Sequence, residues 1–189
     1  MRVIAGTYRS RQLSAPRGMK TRPTSDRLRE TLFNILSSRL DGCRFVDLYA
    51  GTGAVGIEAI SRGAEYVWFA ENSETALTSL RQNLSTLEII RGFTLEDRGV
   101  GALLQQLGKL NQPADLVYLD PPYEAKDEYS GTLHFFGSAR GRAMLGPDAI
   151  VVAEHSSKVK LDQRYGSLEQ TRYLKQGDAA LSFFSLAAN

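Results

Sequence analysis

Two short segments of this 189-residue chain combine residue types that could do chemistry. The first is Asp120-Pro121-Pro122-Tyr123, which directly follows the apolar run 116–119. A carboxylate and a proline carbonyl both accept N–H bonds, and proline rings restrict the backbone that holds them. Tyrosine can stack on a base, which is worth about 1–3 kcal/mol. The tetrad therefore predicts a site that draws the exocyclic amine of a nucleobase towards tetrahedral geometry, with a rigid turn capped by Asp120 as the alternative.

The second segment is a glycine loop that runs from Asp47 to Gly56 and contains Gly51 and Gly53. Glycines allow a tight turn and a close approach of ligand to backbone, although they can also serve strand–helix packing alone. Glu71 follows 20 residues after Gly51, where an acid can accept both hydroxyls of a ribose. The loop fits NAD or S-adenosyl-L-methionine.

Two further acids bear on that choice. A carboxylate at Asp47 would repel a pyrophosphate but suits a ligand with an ammonium and a sulfonium group, which favours S-adenosyl-L-methionine. Asp97 follows the third predicted strand, where it could accept from an adenine amino group. A turn acid or a helix cap is the alternative for Asp97.

Alternating strands and helices must position these segments. Short apolar runs predict strands, and amphipathic spacing predicts helices. Near the end of the chain, residues 168–174 and 180–186 flank Gly177–Asp178, which predicts an antiparallel hairpin. The fold class expected is a mostly parallel α/β sheet with an antiparallel edge hairpin, spanning 24–189 after a basic arm at 1–23. Strands are predicted at 44–49, 66–70, 93–95, 116–119 and 149–153, and helices at 24–40, 54–62, 76–87 and 100–107.

Composition excludes several classes of protein. The chain is 42% hydrophobic and 23% charged, which is ordinary for a folded domain. Cys43 is the only cysteine and there are two histidines, so neither a disulfide nor a Cys- or His-rich metal site is expected. No apolar run approaches the ~20 residues of a membrane span, and the N-terminus lacks a signal-peptide core. We expect a soluble, cytoplasmic monomer without a bound metal.

Charge is unevenly distributed along the chain. Residues 1–40 hold nine Lys or Arg against two acids, whereas the remainder holds 14 basic and 19 acidic residues. A basic arm on an acidic body predicts a polyanionic partner. Arg22 and Arg27 could instead hold the first helix in place, and a solvated face is the general alternative for such a run. The candidate RNA contacts are Arg9, Arg11, Arg22, Arg27 and Arg29.

These segments together resemble the bacterial 16S rRNA (guanine-N2)-methyltransferase D family. The resemblance is carried by residues 2–13, the block Arg22–Asn34 with its Arg-Pro-Thr start, the glycine loop, the Asp-Pro-Pro-Tyr tetrad and residues 177–183. It covers nearly the whole chain, with residues 126–142 and 156–170 as the stretches that match no pattern of the family. The Arg-Pro-Thr block is its specific part, because many amino-methyltransferases share the loop and the tetrad.

The resemblance implies a Rossmann-like class I methyltransferase with a seven-stranded sheet. It also implies methyl transfer from S-adenosyl-L-methionine to N2 of a guanine, of the guanine-966 type, in 16S rRNA of the small ribosomal subunit. Carried over by position, the catalytic residues are Asp120, Pro121, Pro122 and Tyr123, and the cofactor-binding residues are Thr24, Asp47, Gly51, Gly53, Glu71 and Asp97.

Three other functions use part of the same pattern. A DNA adenine-N6 methyltransferase would share the tetrad, and competition between DNA and ribosomal subunits would separate the two. An NAD-dependent oxidoreductase would share the glycine loop but has no use for the tetrad. A non-catalytic RNA-binding assembly factor could keep the fold, but all four tetrad positions are intact.

Overall fold

The computed structural model describes residues 1–15, 25–110, 112–122 and 126–187. They fall into two compact units, Met1–Leu103 and Leu104–Asn189. The predicted boundary at 23/24 and three predicted site residues, Arg22, Thr24 and Tyr123, lie outside the described residues.

Three parallel strands form the centre of the first unit, in the order β3 (Phe93–Glu96), β2 (Tyr66–Ala70) and β1 (Arg44–Leu48). The apolar residues of β1 and β2 are largely buried, as in a parallel sheet that is covered on both faces, and those of β3 are half-buried. Helix α1, Asp26–Ile35, begins where the Ser25 hydroxyl accepts from the Leu28 amide at 3.1 Å. The elements are α1 Asp26–Ile35, β1 Arg44–Leu48, α2 Ala54–Ser61, β2 Tyr66–Ala70, α3 Glu74–Thr86, β3 Phe93–Glu96 and α4 Val100–Leu107, of which the last ends in the second unit.

Five strands form the second unit, in the order β4 (Ala114–Leu119), β5 (Leu145–Ser156), β8 (Ala179–Leu186), β7 (Leu168–Gln176) and β6 (Arg164–Tyr165). Only β4 and β5 are parallel, and the other three neighbouring pairs are antiparallel. The predicted edge hairpin is confirmed, with Gly177 at φ 65 in its turn. The elements are β4 Ala114–Leu119, α5 Lys126–Gly137, α6 Ala139–Arg142, β5 Leu145–Ser156, β6 Arg164–Tyr165, β7 Leu168–Gln176 and β8 Ala179–Leu186.

The described part of the chain holds eight strands rather than the expected seven, and the addition is the two-residue β6. Strand β5 runs for twelve residues instead of the five predicted. Glycine, proline and polar residues near its two ends interrupt the apolar run from which a strand is predicted. None of the helices in the described ranges has the length and apolar character of a membrane-spanning segment.

Candidate functional site

The glycine loop between β1 and α2 has an unusual backbone. Three of its residues adopt left-handed φ angles, which are 64° at Tyr49, 57° at Gly51 and 77° at Gly53. A bulky residue such as Tyr49 rarely adopts this conformation, and such strain is typical of functional loops. A Cβ placed on Gly51 would meet nothing within 4 Å, whereas one on Gly53 would lie 2.0 Å from Leu80 Cδ1. Open space for a ligand therefore borders Gly51.

The third glycine of the loop serves packing instead. A Cβ on Gly56 would lie 2.2 Å from Cε1 of Phe69, a fully buried residue of β2. At this position the glycine brings α2 close to the sheet, as the packing alternative supposed.

Asp47 provides a buried carboxyl group at the end of β1. It is 1% exposed, and its Oδ2 accepts from the Gly56 amide at 2.9 Å. Burial raises the pKa of Asp47 to about 7; the Gly56 bond lowers that pKa, and the negative charge of Glu71 raises it. A ligand cation beside Asp47 would offset the cost of burying its negative charge and would reduce the repulsion from Glu71.

Glu71 connects the glycine loop to the start of α3. Its Oε2 accepts from the Gly51 amide at 2.8 Å, and its Oε1 accepts from the amides of Asn72 and Ser73, both at 2.8 Å. A carboxylate offers about four acceptor positions, so these three bonds leave room for about one more. Binding of both ribose hydroxyls remains a prediction, and it requires one of these backbone bonds to be exchanged.

Asp97 lies just beyond β3, in contact with α3. Its Oδ2 pairs with Arg81 Nη2 at 2.9 Å, and both side chains are more than half exposed. Exposed pairs of this kind contribute little energy, so a ligand could displace Arg81. A role for Asp97 towards adenine stays a prediction.

In the second unit, the described part of the tetrad directly follows β4. Asp120 is half-buried, Pro121 is buried and Pro122 is exposed. The Pro121 carbonyl accepts from the Tyr129 hydroxyl of α5 at 3.1 Å. Because a carbonyl has two lone pairs, one remains for a second donor.

The N-terminal segment, residues 1–15, lies against α2 and α3 of the first unit. It closes on itself through one antiparallel bridge between Arg2 and Gln12. The fully buried carboxylate of Glu58, on α2, accepts from the amides of Ile4 at 2.8 Å and Ala5 at 3.0 Å. The segment is thus attached through its backbone.

Two more side chains of the first unit bind the same backbone. The Ser61 hydroxyl accepts from the Tyr8 amide at 2.9 Å and donates to the Ala5 carbonyl at 2.6 Å. The Asn83 amide group donates to the carbonyl of Ser14 at 3.1 Å and accepts from its N–H at 2.7 Å. Asn83 also donates to the carbonyl of Thr52 at 2.9 Å, which joins the N-terminal segment to the glycine loop.

The predicted RNA contacts separate into different environments. Arg29 is fully buried and pairs with Asp26 at 3.0 Å and Glu58 at 3.8 Å, so its prediction as a phosphate contact is wrong. Arg29 instead stabilises the attachment of α1, a role that the sequence suggested for Arg22 and Arg27. Arg11 donates to the Thr86 carbonyl at the end of α3, at 3.0 Å.

Arg9 and Arg27 are exposed and border a cavity of about 410 Å³ in the first unit. Arg2 contributes a third positive charge to its wall. The cavity lies between the N-terminal segment and α1, and its remaining lining residues are Val3, Ile4, Ser10, Asp26 and Glu30.

Comparison with known proteins places this geometry in a family. Residues 1–185 match the family described as Conserved hypothetical protein 95. The chain belongs to that family. The resemblance to the methyltransferase D family is confirmed by the relatives that follow.

Two relatives of this Conserved hypothetical protein 95 member carry names that concern ribosomal RNA. The Bacillus subtilis (strain 168) protein YlbH, provisionally named an rRNA methyltransferase, is 36% identical over 172 residues, which are 91% of each chain. The protein from Haemophilus influenzae (strain ATCC 51907 / DSM 11121 / KW20 / Rd) named Ribosomal RNA small subunit methyltransferase D is 39% identical over 131 residues. That match spans 65% of this chain and 64% of the relative.

Solved structures show the same fold. The Escherichia coli protein yhhF, provisionally named a methyltransferase, superimposes with a TM-score of 0.82 at 28% identity, over 100% of this chain and 99% of the other. A protein described as SMU.776 and complexed with SAH has a TM-score of 0.66 at 11% identity, covering 84% of this chain and 49% of its own. The expected methyltransferase-type α/β fold is confirmed.

For this family member, sequence reasoning missed Glu58, Asn83 and Tyr129. A signal existed for Glu58, because it is the single charged residue of an otherwise largely apolar helix, Ala54–Ser61. Asn83 lies on the buried face of α3, where a polar residue interrupts the apolar spacing. Tyr129 had no such signal, because residues 126–142 show no clear pattern.

Proposed function

We propose that this protein transfers a methyl group from S-adenosyl-L-methionine to N2 of a guanine in 16S rRNA, within the small ribosomal subunit. One observation carries the proposal: the Asp120 carboxylate and the Pro121 carbonyl, which accepts from the Tyr129 hydroxyl, directly follow β4 in a chain of this family. The proposal includes a cytoplasmic, monomeric enzyme.

The amine of guanine is a poor nucleophile, because its lone pair is delocalised into the ring. Asp120 and the Pro121 carbonyl accept its two N–H bonds and hold the nitrogen for in-line attack, so that positioning supplies much of the rate. When bound, S-adenosyl-L-methionine supplies a methyl carbon whose bond to a positively charged sulfur breaks as the N–C bond forms. The methylated nitrogen is then strongly acidic and loses a proton to the Asp120 carboxylate or to water, so Asp120 need not be a strong base. Tyr123 is assigned the stacking contact with the base.

The first unit offers groups that fit the cofactor. Asp47 is assigned its cationic amino-acid end, because the carboxylate is buried and repelled by Glu71. Glu71 and Asp97 are assigned the ribose and the adenine, and Gly51 leaves open space for the ligand. Gly53 shapes the loop, and Thr24 is kept as a contact.

The N-terminal segment and α1 are assigned the RNA backbone. Arg9 and Arg27 supply phosphate contacts at the cavity they border. Arg11 and Arg22 are assigned further phosphate contacts. Such contacts give affinity and salt dependence, whereas the target is selected by shape and by access to an unstacked base.

Methyl transfer to small ribosomal subunits that lack the modification tests the proposal. We expect labelled methyl groups in 16S rRNA, with the product mapped to N2 of one guanine. A large excess of duplex DNA should compete weakly. Transfer to DNA adenine in place of rRNA would replace the proposal with the DNA methyltransferase, and no transfer to either substrate would overturn it.

Two glycine variants distinguish ligand space from packing. Gly51→Ala should lower the affinity for S-adenosyl-L-methionine at least tenfold, because the methyl group enters the open space beside the loop. Its left-handed φ should cost only about 1–2 kcal/mol of unfolding free energy. Gly56→Ala should cost about 1–3 kcal/mol through overlap with Phe69. Calorimetric titration measures the cofactor affinity of each variant, and denaturant unfolding measures its stability. Equal cofactor affinity in Gly51→Ala and the parent would contradict the assignment of the space beside Gly51 to the cofactor.

Charge removal at the cavity tests the RNA surface. The double variant Arg9→Ala/Arg27→Ala should bind small subunits more weakly, most clearly at low salt. Its plot of log affinity against log salt should be shallower by about two, since each phosphate contact contributes about 0.9 to the slope. Arg91→Ala/Lys109→Ala removes two exposed charges elsewhere and is the matched control. An unchanged slope in the first variant would mean that Arg9 and Arg27 belong to a solvated face and do not contact phosphates.

A further inference from the structure

We propose that Tyr129 is a positioning residue that fixes the direction of the Pro121 carbonyl. The inference rests on the proposed function, in which this carbonyl accepts one N–H of the target amine. Tyr129 itself touches neither the base nor the cofactor in this scheme.

The contact is buried and direct. Tyr129 is 1% exposed, and its hydroxyl donates to the Pro121 carbonyl at 3.1 Å, across eight residues of sequence. Because the tyrosine occupies one lone pair, the other is held in a defined direction for the amine.

The proline pair makes this one bond effective. The rings of Pro121 and Pro122 fix φ at both residues, and the peptide between them is planar. Rotation about ψ of Pro121 is therefore the soft motion that swings its carbonyl. A residue before proline is confined to ψ of about +120 to +160°, and the tyrosine bond selects one direction within that range.

Tyr129 is held in turn by a buried histidine of β5. The rings of Tyr129 and His155 meet edge to face, with centroids 6.3 Å apart and planes at 78°. His155 Nδ1 donates to the Ser156 carbonyl and its Nε2 accepts from the Ser182 hydroxyl, both at 2.9 Å. Burial lowers the pKa of His155, so the ring is neutral near pH 7 and both nitrogens are satisfied. Gln170 donates to the same Ser182 oxygen at 3.0 Å.

The experiment compares Tyr129→Phe with the parent in methyl transfer to unmodified small subunits. We expect kcat to fall about tenfold, the loss typical of one directed hydrogen bond. The KM for subunits and the affinity for S-adenosyl-L-methionine should stay within twofold of the parent. Tyr165→Phe is the matched control, because Tyr165 is also buried in this unit and its hydroxyl accepts from the Asp162 amide.

Three outcomes separate the two proposals. A parent protein that transfers no methyl group overturns the proposed function. An active parent with equal kcat in Tyr129→Phe and Tyr165→Phe overturns the inference alone. An equal loss of kcat and of thermal midpoint in both variants also overturns it, because a structural role would then suffice.

A spectroscopic readout does not depend on activity. The chain has six prolines, so protein labelled with ¹³C at proline carbonyls gives few resonances. We expect Tyr129→Phe to move the Pro121 carbonyl resonance upfield and Tyr165→Phe to leave it in place. An unmoved Pro121 resonance in Tyr129→Phe would overturn the inference.

Discussion

Replacing Asp120 by alanine is expected to lower kcat for methylation of small ribosomal subunits about a hundred- to a thousandfold, as when a catalytic acceptor is removed. The amine would then have only the Pro121 carbonyl as a fixed acceptor. Affinity for S-adenosyl-L-methionine should stay unchanged, because the cofactor is assigned to Asp47, Glu71 and Asp97. Single-turnover methyl transfer and calorimetry measure the two quantities.

Asp127→Ala is the matched control for this variant, since Asp127 is an exposed acid at the start of α5. It should retain full activity. If Asp120→Ala loses cofactor binding together with activity, then Asp120 has a structural role and the proposed mechanism fails.

The second large effect is expected at Asp47. We expect Asp47→Asn to weaken binding of S-adenosyl-L-methionine about a hundredfold at pH 8, because a buried charge pair of this kind contributes about 2–5 kcal/mol. In the parent, affinity should fall about tenfold for each pH unit below the pKa near 7, as Asp47 takes up its proton. The asparagine variant should lose that dependence.

Without cofactor, the free energy of unfolding should fall as pH rises, whereas cofactor affinity rises with pH. The pKa of Asp47 is raised in the folded protein, so its neutral form stabilises the fold fully below the unfolded value of 3.8. This contribution, about 4 kcal/mol, is lost as pH rises from there through about 7. Denaturant unfolding from pH 4 to 8 should show this fall in the parent and not in Asp47→Asn.

Asp97→Asn serves as the control, because Asp97 is an exposed acid of the same unit. It should reproduce the parent's pH profile of stability. Equal cofactor affinity in Asp47→Asn and the parent would contradict the assignment of Asp47.

The regular part of the fold was predictable because the spacing of apolar residues along the sequence matches the residues that are buried there. Strand β2 was predicted at its observed bounds, since Tyr66–Ala70 is an uninterrupted apolar run bounded by polar residues. Helix α5 was not predicted, because its buried residues Tyr129, Thr132, Leu133 and Phe136 are mixed with glycine and polar residues. Strand β5 was underestimated because Pro147 and His155 lie inside it.

For the candidate site, sequence spacing identified residues but not their partners. The positions of Asp47, Gly51 and Glu71 follow from the strand–loop–helix pattern, and the structure brings them together in the first unit. Burial depends on tertiary packing, which the sequence pattern does not reveal. Buried Arg29 was therefore wrongly assigned to RNA together with the exposed Arg9 and Arg27. The bond from Tyr129 to Pro121 joins residues that no local periodicity relates.

The attachment of the N-terminal segment has a consequence for how this protein can diverge. Glu58, Ser61 and Asn83 bind it through N–H and C=O groups, which nearly every amino acid supplies. Outward-facing side chains such as Arg9 can therefore be exchanged in evolution while the segment stays in place. A lineage could acquire a different RNA target by substitutions in this one segment, with the scaffold beneath it unaltered.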